Sequence, residues 1–175
     1  KTTASFNILP EILSCHEFVN ADEIARGLSP FNPDSVALAA GRLMLSRISE
    51  LMDLEVDFAF ETTLATRSYV NRIKKAQESG YDVTLLFYWL ESKELARKRV
   101  ELRVKEGGHN IPNDVINRRY EKGIQNLFNL YMPICDYTMV FDNSTTKPIL
   151  VLEKKLNDPQ KVHDMDRLSK MKIEL

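Results

Sequence analysis

At 175 residues, 43% of them apolar and 28% charged, the chain is long enough for one domain with a substantial core and has an ordinary globular composition. Its net charge of −1 offers no global field for nucleic acid or an anionic membrane surface, and no apolar run nears the roughly 18–20 residues that span a bilayer. The two cysteines, Cys15 and Cys135, stand far apart, and the three histidines, His16, His109 and His163, are scattered. That spacing supports neither a zinc site nor a Cys/His nucleophile pair, and it reads as two reduced thiols of a cytoplasmic protein.

The chain opens on Lys1-Thr2-Thr3, ahead of Phe6, Leu9 and Leu13 at helical spacing, with Pro10 shortening or kinking that helix. Lys-Thr at a helix start reads as the last two letters of a P-loop, G-x-x-x-x-G-K-[ST]. In that motif the Lys reaches the β/γ-phosphates and the hydroxyl sits on Mg²⁺. On this reading the first strand and the glycine turn lie upstream of Lys1. Glu17 to Asn20 reads as a short strand running into a polar turn at Ala21-Asp22-Glu23. After a loop with Pro30 and Pro33, Asp34 or Ser35 caps a long helix to about Met52.

Asp57 to Glu61 is a second strand, closed by a carboxylate, and Thr66 caps a helix that Ser79-Gly80 stops. Asp82 to Leu90 is a continuous apolar run, as in a strand buried on both faces. Lys93 to Glu106 is a charged helix, Gly107 to Pro112 breaks it, and Asn113 to about Leu130 is the returning helix. Tyr137 to Phe141 and Ile149 to Glu153 are strands, and Asp158 to Met171 is a tail helix. The alternation predicts an α/β fold with a mostly parallel sheet and right-handed crossovers. Ligands then bind beyond the carboxyl ends of the strands, which is where Asp22, Glu61, Glu91 and Asp142 fall.

Each candidate residue has two readings. Asp22 either orients an acceptor hydroxyl and takes its proton, with Arg26 one turn on near substrate anions, or it caps the following helix. Glu61 with Thr62 and Thr63 either binds a substrate hydroxyl or a Mg²⁺-bound water, in the layout of a Walker B strand, or caps the next helix. Arg97, Arg99 and Arg103 lie on one helix and Arg118-Arg119 on the next. Across a glycine hinge these two helices make either a lid whose arginines grip a triphosphate or a solvated face paired with Glu94, Glu101 and Glu106. Asp142-Asn143-Ser144 is either a contact to the nucleotide base or a plain turn.

The set resembles the zeta-toxin-like P-loop kinases, in the bacterial branch described as predicted ATPases or kinases. The resemblance covers roughly residues 1–144. It rests on Lys1-Thr2-Thr3, on the stretch from Phe18 to Pro30, on Phe58-Ala59-Phe60-Glu61-Thr62-Thr63-Leu64, on Gly107 to Pro112 with Arg118-Arg119-Tyr120, and on Asp142-Asn143-Ser144. It implies a three-layer P-loop NTPase/kinase-like sandwich over residues 1–156, with a helical, arginine-bearing lid at about 93–125 and a tail helix at 157–175. It implies ATP and Mg²⁺ as cofactors and a small-molecule acceptor. In zeta toxins proper that acceptor is the amino sugar of UDP-N-acetylglucosamine, phosphorylated on its 3′-hydroxyl, and an antitoxin protein blocks the nucleotide site.

By motif, Lys1, Thr2 and Thr3 would serve the phosphates, with Thr2 on the metal, and Asn143 the nucleotide. Asp22 would be the general base; Arg26, Glu61, Thr62 and Thr63 would serve the substrate. Arg103 with Arg118 or Arg119 would meet the γ-phosphate. That last match is by role, because the spacing of the arginines departs from zeta toxins proper. Two rival classes stay open: a non-catalytic nucleotide-binding or toxin–antitoxin regulatory protein, and an ATPase without a small-molecule acceptor.

Overall fold

The computed structural model describes residues 15–105 and 111–173. The P-loop residues Lys1, Thr2 and Thr3, the helix expected from Thr2 to about Leu13, and the Gly107-Gly108-His109 hinge lie outside the described residues. The chain forms two compact units, Lys1–Thr62 and Thr63–Leu175.

In the first unit, β1 (Glu17–Val19) pairs in parallel with β2 (Phe58–Phe60). Between them run α1 (Ala21–Leu28), a 3₁₀ turn (Pro33–Val36) and α2 (Ala37–Asp53). Ala40, Met44, Ile48 and Leu51 recur every three or four residues and are the buried face of α2. Two expectations are corrected here. The turn expected at Ala21-Asp22-Glu23 is the first turn of α1, and its cap is Asn20, not Asp22. The long helix begins with a 3₁₀ turn at Pro33, and neither Asp34 nor Ser35 caps it with its side chain.

In the second unit α3 (Val70–Glu78) ends on Gly80, whose φ of +89° a side chain would resist. Then come β3 (Thr84–Trp89), α4 (Lys93–Lys105), α5 (Asn113–Asn126, continued by a π turn at Leu127–Tyr131), β4 (Tyr137–Asp142), β5 (Ile149–Lys155), β6 (Lys161–Val162) and α6 (Met165–Ile173). The sheet order is β3-β4-β5-β6.

β3 and β4 are parallel, as a crossover through α4 and α5 requires, but β4–β5 and β5–β6 are antiparallel. The mostly parallel sheet of the sequence reading is therefore a mixed one. The reason is length: residues 143–148 are too few for a parallel crossover, which needs a dozen or more. β3 is half-buried along most of its length rather than covered on both faces, and Trp89 at its end is fully enclosed. The tail helix is shorter than expected, because residues 161–162 add a strand to β5 before α6 begins.

The β4–β5–β6 hairpins carry one polar cluster. Glu153 accepts hydrogen bonds from the Tyr137 hydroxyl, Lys161 (2.9 Å) and His163 (3.0 Å). These bonds, Tyr137's foremost, hold the Glu153 carboxyl down at about 2. A folded pKa below the unfolded 4.5 stabilises the protein above the latter and is lost as pH falls towards the former. The melting temperature of Glu153→Gln is accordingly expected to fall less steeply than wild type over that acid range; parallel curves would refute the assignment.

Candidate active site

In the first unit, β1 and β2 end side by side, and Glu61 N–H donates to the Val19 carbonyl (3.2 Å). The buried Asn20 follows β1. Its side-chain oxygen accepts from Asp22 N (2.8 Å) and Glu23 N (3.4 Å), closing the free N-terminus of α1. Its amide nitrogen donates to Glu61 Oε2 (3.1 Å). One amide thus fixes the backbone of Asp22 and the carboxylate of Glu61 together. Asp22 is exposed in the first turn of α1, where the helix dipole favours a carboxylate. Arg26, one turn on, pairs with Glu23 (3.1 Å) at the exposed surface, an interaction worth little by itself.

Asn20 is the residue that the sequence reading left without a role. The signal was present, since Asn before Ala-Asp-Glu is an N-cap pattern. Asn20→Ala is expected to cost about 1 kcal/mol, the usual loss for an asparagine cap. Asn20→Asp keeps the cap but sets a second carboxylate against Glu61. Denaturant unfolding of both variants separates the cap from the Glu61 contact, and an unchanged midpoint in Asn20→Ala would refute the capping role.

In the second unit the segment from Thr63 to Thr66 is anchored on α5 and the π turn. Asn126 donates to the Leu64 carbonyl (2.7 Å), and the Tyr131 hydroxyl donates to the Thr66 carbonyl. A Cβ on Gly123 would stand 3.0 Å from the Thr63 carbonyl, so the helix approaches this closely because position 123 is glycine. Thr63 itself is exposed and Thr62 half-buried. Thr66 does not cap a helix as expected; it accepts from Ser68 N in the turn ahead of α3.

The two charged helices expected from the sequence, α4 and α5, are both present. Ser92 caps α4 through Leu95 N (3.1 Å). Arg97 joins the helices by donating to Asn117 (3.0 Å) and pairing with Glu94 (2.6 Å), and Lys93 pairs with Glu121 (2.8 Å). The Tyr120 hydroxyl accepts from Trp89 Nε1 (3.1 Å) and donates to the Leu90 carbonyl (2.8 Å), fastening α5 to the end of β3.

The arginines of this hairpin divide four ways. Arg97 is consumed by its glutamate, as a solvated face predicts. Arg99 donates to the carbonyls of Asn143 (2.6 Å) and Ser144 (3.4 Å). Arg103 has Nε and Nη2 buried with no hydrogen-bond partner among the described residues. A buried guanidinium without an acceptor is costly, and its cost is removed by an anion. Arg118 and Arg119 are exposed on α5, with no ion pair among the described residues. The two cysteines take no part: Cys135 is buried, its thiol pushed up to about 12 by desolvation, and the half-buried Cys15 is raised by the same cause.

Asn143 follows β4. Its N–H donates to the Trp89 carbonyl (2.8 Å), and its side-chain amide has no partner among the described residues. The preceding Asp142 is buried. Burial pushes its carboxyl up, but the hydroxyl and N–H of Ser144 together with Arg167 outweigh it, so the group lies below the ordinary aspartate range.

The fold and the sequence both have counterparts among known proteins. A solved structure from work on the PezAT chromosomal toxin–antitoxin system of Streptococcus pneumoniae has the same fold, with a TM-score of 0.62 over 99% of this chain and 80% of that one at 14% identity. An uncharacterised protein of Haemophilus influenzae is 32% identical over 102 residues, 58% of this chain and 73% of that protein. The fold class is thus the α/β class of that toxin–antitoxin structure. The zeta toxin family model matches residues 18–149, and the chain belongs to the zeta toxin family. Among the described residues, no helix is long and apolar enough to cross a membrane.

Proposed function

We propose that this chain carries the phosphotransferase function of its family: an ATP- and Mg²⁺-dependent kinase that moves the γ-phosphate to a hydroxyl of a nucleotide-sugar or related metabolite. The observation that carries the reading is Arg103, whose guanidinium nitrogens Nε and Nη2 are buried with no acceptor among the described residues. A phosphoryl group supplies a pair of oxygens that this planar fork can meet bidentately.

The remaining roles follow from chemistry and position. Asp22, exposed at a helix N-terminus, accepts the proton of the acceptor hydroxyl. Glu61, oriented by Asn20, hydrogen-bonds the acceptor, with Thr62, Thr63 and Arg26 as further contacts. Arg103 with Arg118 or Arg119 neutralises charge that builds on the γ-phosphoryl oxygens. Lys1, Thr2 and Thr3 serve the phosphates, and Asn143 the base. Bound ATP supplies the transferable phosphoryl group. No cluster of three or more metal-type side chains occurs among the described residues. Mg²⁺ would be held mainly by phosphate oxygens and water, with Thr2 as the protein's hydroxyl ligand, because this ion is seldom caged by protein alone. The PezAT structure comes from work on a toxin–antitoxin system, and an antitoxin is the protein partner of this reading for this chain as well.

The test is transfer of γ-³²P from ATP by the full-length gene product with Mg²⁺ and a panel of UDP-sugars. Label in an acceptor is expected. Hydrolysis of ATP at a rate no acceptor changes would replace the kinase reading by an ATPase. Binding of ATP without turnover would favour the regulatory reading.

A further inference from the structure

The matched family region ends at residue 149, yet the Asp142–Asn143–Ser144 turn is held from beyond it. Arg167, on α6, donates Nε to Asp142 Oδ2 at 2.8 Å. Its Nη1 pairs with Asp164, which also caps α6 by accepting from Arg167 N (3.0 Å). The other oxygen of Asp142 accepts from Ser144 N (2.9 Å) and from the Ser144 hydroxyl. The Ser144 oxygen in turn accepts from Glu91 N (2.8 Å), and Arg99 holds the two carbonyls of the turn. Asp142 is 5% exposed, so its charge is viable there only with a partner such as Arg167. Every one of these bonds fixes the turn, and the group left over is the half-buried side-chain amide of Asn143.

A strand-end turn needs no such framework for its own stability, since an Asx turn forms with one bond. The framework has a use if the Asn143 amide must be presented in one orientation. A carboxamide offers one donor and one acceptor side by side. That pair matches the N6 amine and N7 of adenine, whereas guanine presents two acceptors along the same edge.

We infer that Arg167 is a positioning residue of the nucleotide site: through Asp142 it sets the Asp142–Asn143–Ser144 turn so that the Asn143 amide selects adenine over guanine. The C-terminal helix is then a working part of that site. The inference rests on the reading of Asn143 as a nucleotide contact.

The experiment compares ATP and GTP binding to the full-length protein by isothermal titration, for wild type, Arg167→Ala, Arg167→Lys and Asn143→Ala, with melting temperatures alongside. Gln77→Ala serves as the stability control, because Gln77 bonds Asp136 and the Ile134 carbonyl, away from the turn. Wild type is expected to prefer ATP, and Asn143→Ala to lose the preference. Arg167→Ala is expected to weaken ATP about tenfold, the effect of losing one charge-assisted bond, while moving GTP less than twofold. Arg167→Lys should restore part of the preference, and it remains informative if Arg167→Ala fails to fold.

An ATP/GTP ratio unchanged in Arg167→Ala, with a lowered melting temperature like that of Gln77→Ala, leaves Arg167 a purely structural role and overturns the inference; should Arg167→Ala not fold, a ratio unchanged in Asn143→Ala overturns it instead. A wild type that binds both nucleotides equally overturns it too. A wild type that binds neither removes the nucleotide reading itself, and this inference with it.

Discussion

Arg103→Met is expected to lower phosphoryl transfer by about a thousandfold and at the same time to stabilise the nucleotide-free protein. The two effects share one cause. In the free protein Arg103 holds two buried nitrogens, Nε and Nη2, without acceptors among the described residues, and methionine keeps much of the apolar stem while removing the unmet donors. Deleting an unsatisfied buried group returns about 1–3 kcal/mol. Phosphoryl transfer, by contrast, loses a cation that meets developing charge, a loss of about 10³–10⁵ in rate for comparable arginines. The measurements are thermal unfolding without nucleotide and single-turnover transfer with saturating ATP. A variant that is less stable and fully active would show that Arg103 is an ordinary structural arginine.

Arg97 is the internal control for that result. It lies on the same helix but is already paired with Glu94 and bonded to Asn117. Its removal is expected to loosen the hairpin of α4 and α5 without the large loss in the chemical step.

Asp22→Ala is expected to abolish transfer, by about 10²–10⁴, while ATP binding persists. The backbone at position 22 is held by Asn20 whatever the side chain, so the substitution removes the carboxylate without removing the cap. The stability cost should be limited to the lost charge at the helix N-terminus, about 0.3–1 kcal/mol. Asp22→Asn, which keeps the shape, should be nearly as inactive. Turnover retained in both would sink the assignment of Asp22 as base, and simultaneous loss of ATP binding would move Asp22 to the nucleotide side.

The two variants test complementary halves of the proposed chemistry. If Asp22→Ala is inactive and Arg103→Met is not, proton removal limits the reaction and the phosphoryl group is neutralised elsewhere, with Arg118 and Arg119 the next to change. The reverse result would leave charge neutralisation as the dominant contribution.

Much of this could be read from the sequence, because it depends on neighbours in the chain. The periodicity of Ala40, Met44, Ile48 and Leu51, the apolar runs ending at Glu61 and at Asp142, and the charged helices after Ser92 and Pro112 are local signals. They place the strand-end acids and the arginine-bearing helices in order, and that order carries the likeness to the zeta toxin family. The mixed sheet was also within reach, since residues 143–148 cannot house a crossover.

What the tertiary structure alone decided is which partner each polar group took. Five arginines on α4 and α5 look alike in sequence, yet Arg97 is spent on Glu94, Arg99 on the backbone of the Asn143 turn, and Arg103 on nothing among the described residues. Asn20 reaches Glu61 across 41 positions and Arg167 reaches Asp142 across 25. Such pairings follow from where strands and helices come to rest, and side-chain type sets only what a residue is able to donate or accept. Composition and periodicity therefore name the candidates, while three-dimensional packing separates the arginines that are bonded, Arg97 and Arg99, from those that are not.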